Sequence, residues 1–428
     1  MRIRDWDGNL KVRLVGETVM NVTYWMFFPF LTIYFADAFG KEKAGFLIIL
    51  SQFFSVAANL MGGYCADQFG RKKMMVFSAL GQGIAFFIFA FSDSPWFHWP
   101  VIGFISFTLI GVFGSFYWPA SQAMVVDVVD EEHRSHVFAV FYTSINIAVV
   151  VGPLLGALFY VPYRFQLIII SGIICILLAL LLQKLTRETV PLKQKDQKAN
   201  DTEKKLWYVH LKNQLADYGI ILRDRIFLLF ILSGVLVSLT FMQLDMLIPV
   251  YTKDVVENMP LFSFGDFMLR VNGEQAFGIM LAENGLFVAL FTVIVTKWMT
   301  NFRERNIFII SSVVYGISIF LFGQLQSMFG LIFAMGLFTF AELMTAGIQQ
   351  DFISKLAPEH LRGQYFATAS LRYTVGRTIA PIFIPMAVWF GYGWTFAFLS
   401  FLALISAVLY YVMFMKYENQ QMTKIPTP

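Results

Sequence analysis

Runs of about 20 apolar residues, long enough to cross a hydrocarbon layer of roughly 30 Å as helices, recur along this chain from end to end. MMVFSALGQGIAFFIFAF, which follows Lys73, is one of them. The short alternating segments of a membrane β-barrel are missing, so the runs are expected to be helical. Of the 428 residues 57% are hydrophobic and 14% charged, against roughly 45–50% apolar usage in soluble domains. Mean hydropathy is +0.64, which makes an integral membrane protein the expectation.

Twelve spans are expected, centred near Thr23, Ser55, Phe86, Gly111, Ala148, Ile174, Leu236, Ala289, Val314, Gly336, Ala380 and Leu402, and are numbered 1 to 12 in that order. The segment MRIRDWDGNLKVR is too charged, and span 1 too long, for a cleaved signal peptide. Arg71, Lys72, Lys73, Arg134, Arg303, Arg305, Lys355 and Arg362 fall in alternate loops, as does the segment from Lys184 to Arg225. Cation-rich loops stay on the cytoplasmic side, so both termini are expected there. The net charge of +4 reflects this loop bias and is no argument for a nucleic-acid partner. Cys65 and Cys175 lie in or beside apolar spans and read as small buried residues; neither a metal nor a cofactor is implied.

The polar segment from Lys184 to Arg225 divides the spans six and six. The expected domains are an N-terminal six-helix bundle over 1–185, a cytoplasmic linker over 186–224 and a C-terminal six-helix bundle over 225–428. Within the linker, Leu206, Val209, Leu211, Leu215 and Tyr218 are spaced for a helix lying on the membrane interface. The halves read as copies. Arg134, Phe138, Ala139 and Pro153 meet Arg362, Phe366, Ala367 and Pro381 at one constant offset without a gap. Two homologous six-helix halves place a substrate site near the bilayer midplane and transport by rocking. The loop near 254–276 is long and contains Gly-Asp and Asn-Gly, so it is expected as a small extracellular hairpin or a flexible loop.

Between spans 2 and 3 the chain reads GGYCADQFGRKK, with Gly63, Asp67, Gly70 and Arg71 at fixed spacing. This resembles the Gly-x-x-x-Asp-x-x-Gly-Arg-Lys loop of the major facilitator superfamily. The resemblance implies an all-α membrane protein of 12 transmembrane helices in two pseudo-symmetric six-helix bundles. Gly63 would let a neighbouring backbone approach, and Gly70 would take φ > 0 in a tight turn. Asp67 would face a helix N-terminus, and Arg71 would pair with Asp127, so that the run acts as a latch between the inner ends of the halves.

Gly152, Pro153 and Gly156 in span 5 resemble the Gly-Pro-x-x-Gly-Gly end of the antiporter motif of drug/proton exporters. The span 4 arginine of many exporters is replaced by Phe107, so the usual relay there is not expected.

Ionisable groups inside spans are costly and read as functional. Asp245 in span 7 and Glu342 in span 10 resemble acidic positions of LmrP-type multidrug/proton antiporters, and Glu283 in span 8 is a third proton-coupling candidate. A carboxyl shielded from water holds its proton more readily, as coupling requires. Arg372 and Arg377 in span 11 are the candidate charge partners. Counted at 1.5 Å per residue, Arg377 reaches the depth of Glu342, so the two are expected to meet. Glu17 and Arg13 are expected as an interfacial ion pair. Asn21, Tyr24, Trp25, Phe28, Tyr117, Asn146 and Gln243 are the candidate cavity lining.

The expected function is proton-coupled export of amphipathic compounds across a bacterial cytoplasmic membrane, with protons, substrate and membrane lipids as partners of a monomer and no catalytic residues. An exporter or flippase of an anionic or zwitterionic metabolite or lipid is the alternative, favoured by Arg372 and Arg377. A membrane enzyme or receptor is the second alternative; no P-loop, HExxH helix or nucleophile elbow supports it.

Overall fold

The computed structural model describes residues 3–189, 224–264, 267–358 and 362–424. The linker helix expected over 206–218 lies outside them. Eleven of the described helices are long and apolar enough to cross a membrane. They form spans 1 to 6 at Gly8–Phe39, Lys41–Phe69, Arg71–Ser92, Pro100–Val128, His136–Tyr160 and Pro162–Leu185, spans 7 to 10 at Arg225–Val255, Gly273–Met299, Glu304–Gln324 and Met328–Leu356, and span 12 at Tyr392–Gln421. Span 11 is the twelfth. It runs as Arg362–Ile379, a 3-10 turn Ala380–Ile382 and Phe383–Phe390, and Arg372 and Arg377 lower its hydropathy.

Proline decides where spans break, because it cannot donate the backbone hydrogen bond that continues a helix. Span 1 passes from Gly8–Phe27 through the 3-10 turn Phe28–Phe30, which contains Pro29, into Leu31–Phe39. Span 7 repeats the pattern as Arg225–Phe241, the turn Met242–Leu244 and Leu247–Val255, with Pro249 in the first turn of the last piece. Spans 5 and 6 follow each other as one helical run, Glu131–Leu185, bent where Tyr163 leaves helical geometry beside Pro162.

Two compact units result. One comprises Met1–Leu31 and Leu50–Asn213, the other Thr32–Ile49 and Gln214–Pro428. The division therefore departs from the boundaries read in the sequence: residues 32–49, from the first repeat, pack within the second unit. Gly45 there lies on Pro385 and 2.9 Å from the Pro381 carbonyl, counted from where a Cβ would stand. Ile48 shares an apolar cluster with Met242, Met246, Ala380 and Ile384. Lys253 pairs with Asp37, and Lys41 with Asp254.

Strands β1 (Asp93–Ser94) and β2 (Phe97–His98) join spans 3 and 4. Strands β3 (Met259–Phe264) and β4 (Phe267–Val271) form an antiparallel hairpin in the second unit. Asn272-Gly273 does not turn this hairpin. Asn272 caps span 8, its side chain accepting from the Gln275 N–H at 2.9 Å while the Gln275 side chain accepts from the Asn272 N–H at 3.0 Å. The second unit's core stacks Phe227, Phe230, Phe308, Phe352, Tyr410 and Phe414. In lipid such rings hold helices together by close packing rather than by leaving water.

Candidate functional site

Asp245 sits immediately after the 3-10 turn of span 7, half-buried. Glu342 of span 10 is also half-buried. It accepts a hydrogen bond from Asn284 Nδ2 at 3.1 Å, and the same amide donates to Thr339 Oγ1 at 3.0 Å. The Glu342 carboxylate is thus held by Asn284, a residue with no charge to mark it in the sequence. Glu283, adjacent to Asn284 on span 8, lies against span 10, and a Cβ on Gly336 would be 3.2 Å from its Oε1. Its Oε2 is buried without a hydrogen-bond partner among the described residues.

Arg372 does not join these carboxylates. It is 2% exposed, donates from Nε to the Ala369 carbonyl at 2.8 Å, and lies 4.4 Å over the Phe230 ring. A cation over an aromatic face gains about 2 kcal/mol or more when desolvated, so this arginine ties span 11 to span 7. Gln243 is likewise corrected from a cavity residue to a packing one. It is fully buried and donates to the Leu239 carbonyl at 2.7 Å and the Ala380 carbonyl at 3.5 Å.

In the first unit Arg71 pairs with Asp67 and, at 3.3 Å, with Asp127. Gly70 has φ +104°, a conformation costly for any residue with a Cβ. A Cβ on Gly63 would meet nothing within 4 Å, so the close approach expected there belongs instead to Gly62, whose Cβ would stand 2.9 Å from Pro119. The motif also grips the end of span 6. Lys72 Nζ donates to the carbonyls of Gln183 at 2.7 Å and Thr186 at 2.8 Å, where helix carbonyls lack partners. Thr189 Oγ1 donates to Asp127 at 2.9 Å.

Gly152 and Gly156 bring span 5 onto span 1. A Cβ on Gly152 would stand 2.9 Å from the Val22 carbonyl, and one on Gly156 would strike the Met26 carbonyl. Arg13 and Glu17, expected at the interface, are instead buried, joined at 2.8 Å with side chains 1% and 8% exposed. Glu17 Oε1 also accepts from Tyr117 OH at 2.9 Å, and Arg13 donates to Ser121 and lies 4.8 Å over Phe141. Tyr117 is therefore part of an ion-pair network rather than a cavity wall. Tyr24 stacks on Phe28 at 4.9 Å with Trp25 edge-on at 5.5 Å. Asn21 is half-buried, and Asn146 is exposed with its amide on the Tyr142 carbonyl at 3.0 Å.

The profile of the Major Facilitator Superfamily matches residues 14–273 and 258–428. The chain belongs to the major facilitator superfamily. This superfamily member is 54% identical over 428 residues to a "Na(+), Li(+), K(+)/H(+) antiporter" of Planococcus maritimus, covering 99% of this chain and 100% of the relative. It is 22% identical over 396 residues to "Multidrug resistance protein MdtH" of Salmonella choleraesuis (strain SC-B67), covering 90% and 85% of the two. Its fold is that of a solved POT family transporter in complex with a thioalcohol conjugated peptide, with TM-score 0.74, 18% identity, and 95% and 96% of the chains covered. The superfamily protein is thus a multi-pass, proton-coupled membrane transporter of the antiporter group and not an enzyme.

Proposed function

We propose that this transporter exchanges monovalent cations, namely sodium, lithium and potassium, for protons across a bacterial cytoplasmic membrane. The observation that carries the reading is the pair of acidic side chains inside the spans of the second unit, Asp245 in span 7 and Glu342 in span 10, the latter held by Asn284 at 3.1 Å. A carboxylate inside a span does not remain charged at low cost; it is neutralised by a proton or offset by a cation. Competition between proton and cation for one carboxylate is the minimum that antiport requires, and alternating access then carries each to the opposite side. Hard cations take oxygen ligands, which the carboxylates of Asp245 and Glu342 offer. The full-length relative named for these three cations supports the choice. The cation-rich loops support cytoplasmic termini.

A second reading, export of amphipathic compounds, is favoured by the Tyr24, Trp25 and Phe28 aromatic group and by the relatives named for multidrug resistance. Of the two arginines that favour an anionic substrate, Arg372 donates from Nε to Ala369 and lies over Phe230.

The test is dequenching of a pH-sensitive dye in proton-loaded proteoliposomes. Addition of Na+, Li+ or K+ is expected to collapse the gradient. Collapse by amphipathic compounds alone, with the three cations inert, overturns the reading.

A further inference from the structure

In an unbroken helix the carbonyl of Asp245 would accept from the N–H of residue 249. That residue is Pro249, which has none. The donor comes instead from the other repeat: Thr32 Oγ1 donates to the Asp245 carbonyl at 2.8 Å. Thr32 is 5% exposed, and a buried carbonyl left without a donor costs about 1–3 kcal/mol. We propose that Thr32 is a positioning residue, whose hydroxyl replaces the backbone donor removed by Pro249 and fixes the turn that presents Asp245. The inference rests on the reading of Asp245 as a coupling carboxyl.

The segment that carries Thr32 is the part of the first repeat packed into the second unit. Its hold also includes separable contacts, among them Asp37 with Lys253, Lys41 with Asp254, Glu42 and Phe46 with Trp389, Gly45 on Pro381 and Pro385, and Ile48 in the cluster around Met242 and Met246. Lys253 also lies 3.4 Å from Glu274. Each can be changed without touching Asp245, whereas the Thr32 hydroxyl reaches it directly. Docking of residues 32–49 therefore reports to the coupling carboxyl through one hydrogen bond. The ionisable groups on the neighbouring spans of this unit are Arg377 on span 11, Glu342 on span 10 and Glu283 on span 8 beside Asn284. Thr32 adds no charge. It acts by holding the backbone that carries Asp245.

The test measures cation-driven proton release from proteoliposomes against pH, with Na+ as the cation, for the unmodified protein, Thr32→Val and Thr32→Ser. Valine keeps the shape and removes the donor; serine keeps the donor and removes the methyl. Thr32→Val is expected to displace the midpoint by about 0.5–1 pH unit, the size of one net hydrogen bond, because the turn that carries Asp245 loses its donor. Thr32→Ser is expected to follow the unmodified curve. An unmoved Thr32→Val curve overturns the proposal, as does a Thr32→Ser curve displaced as far as the valine one, which marks a packing effect. If Thr32→Val does not reach the membrane, Thr32→Cys replaces it, with a smaller displacement in the same sense expected and an unmoved curve again counting against the proposal. Asp245→Asn is assayed in parallel. Retention of normal exchange there overturns both the coupling role of Asp245 and the proposal, whereas its loss with an unmoved Thr32→Val curve overturns Thr32 alone.

Discussion

Asn284 donates its side-chain amide to the Glu342 carboxylate at 3.1 Å, joining span 8 to span 10 inside the second unit. A hydrogen bond given to a carboxylate favours its charged form, so losing it favours the proton. Asn284→Ala is expected to move the pH midpoint of cation exchange upward by about 0.5–1 unit, with the quantity of folded protein unchanged. Dye-based exchange measured across a pH series checks the direction; a downward shift contradicts the assigned role.

Asp245→Asn replaces a titrating oxygen with an amide of equal size. Exchange driven by Na+ is expected to fall to the level of protein-free liposomes, while the detergent-solubilised protein melts at an unchanged temperature. Glu342→Gln is expected to leave a residual, pH-independent flux. Indistinguishable behaviour of the two variants would show that the carboxylates share one role.

The Arg13–Glu17 pair makes a stability prediction. Removing one partner leaves a buried charge uncompensated and costs about 3–5 kcal/mol, whereas replacing both with apolar residues costs less. Arg13→Met and Glu17→Leu are each expected to lower the melting temperature more than the double variant does. Additive losses would place the pair in water.

Glycine positions separate close packing from mere occurrence in a motif. Gly156→Ala puts a methyl against the Met26 carbonyl and is expected to destabilise the first unit by about 1–3 kcal/mol. Gly63→Ala, with open space around it, is expected to melt like the unmodified protein. Denaturation of the two variants side by side decides the contrast.

Much of this was determined locally. Hydrophobic length identified the spans, because the cost of placing a backbone in lipid is set residue by residue. The repeat located Pro153 and Pro381, and the charge of Asp245, Glu283 and Glu342 marked them individually. The direction in which each side chain points was decided only by tertiary structure. Successive residues turn about 100° around a helix, so depth is countable along a sequence while rotation is not. Rotation is set by which faces interlock. That is why Arg372 and Gln243 close packing contacts, and why Tyr117 meets Glu17. The same reason applies most strongly to Thr32, an ordinary residue in sequence. Its hydroxyl matters because Pro249, more than 200 residues away in the chain, leaves a carbonyl in need of a donor, and only the packing of residues 32–49 into the second unit brings the two together.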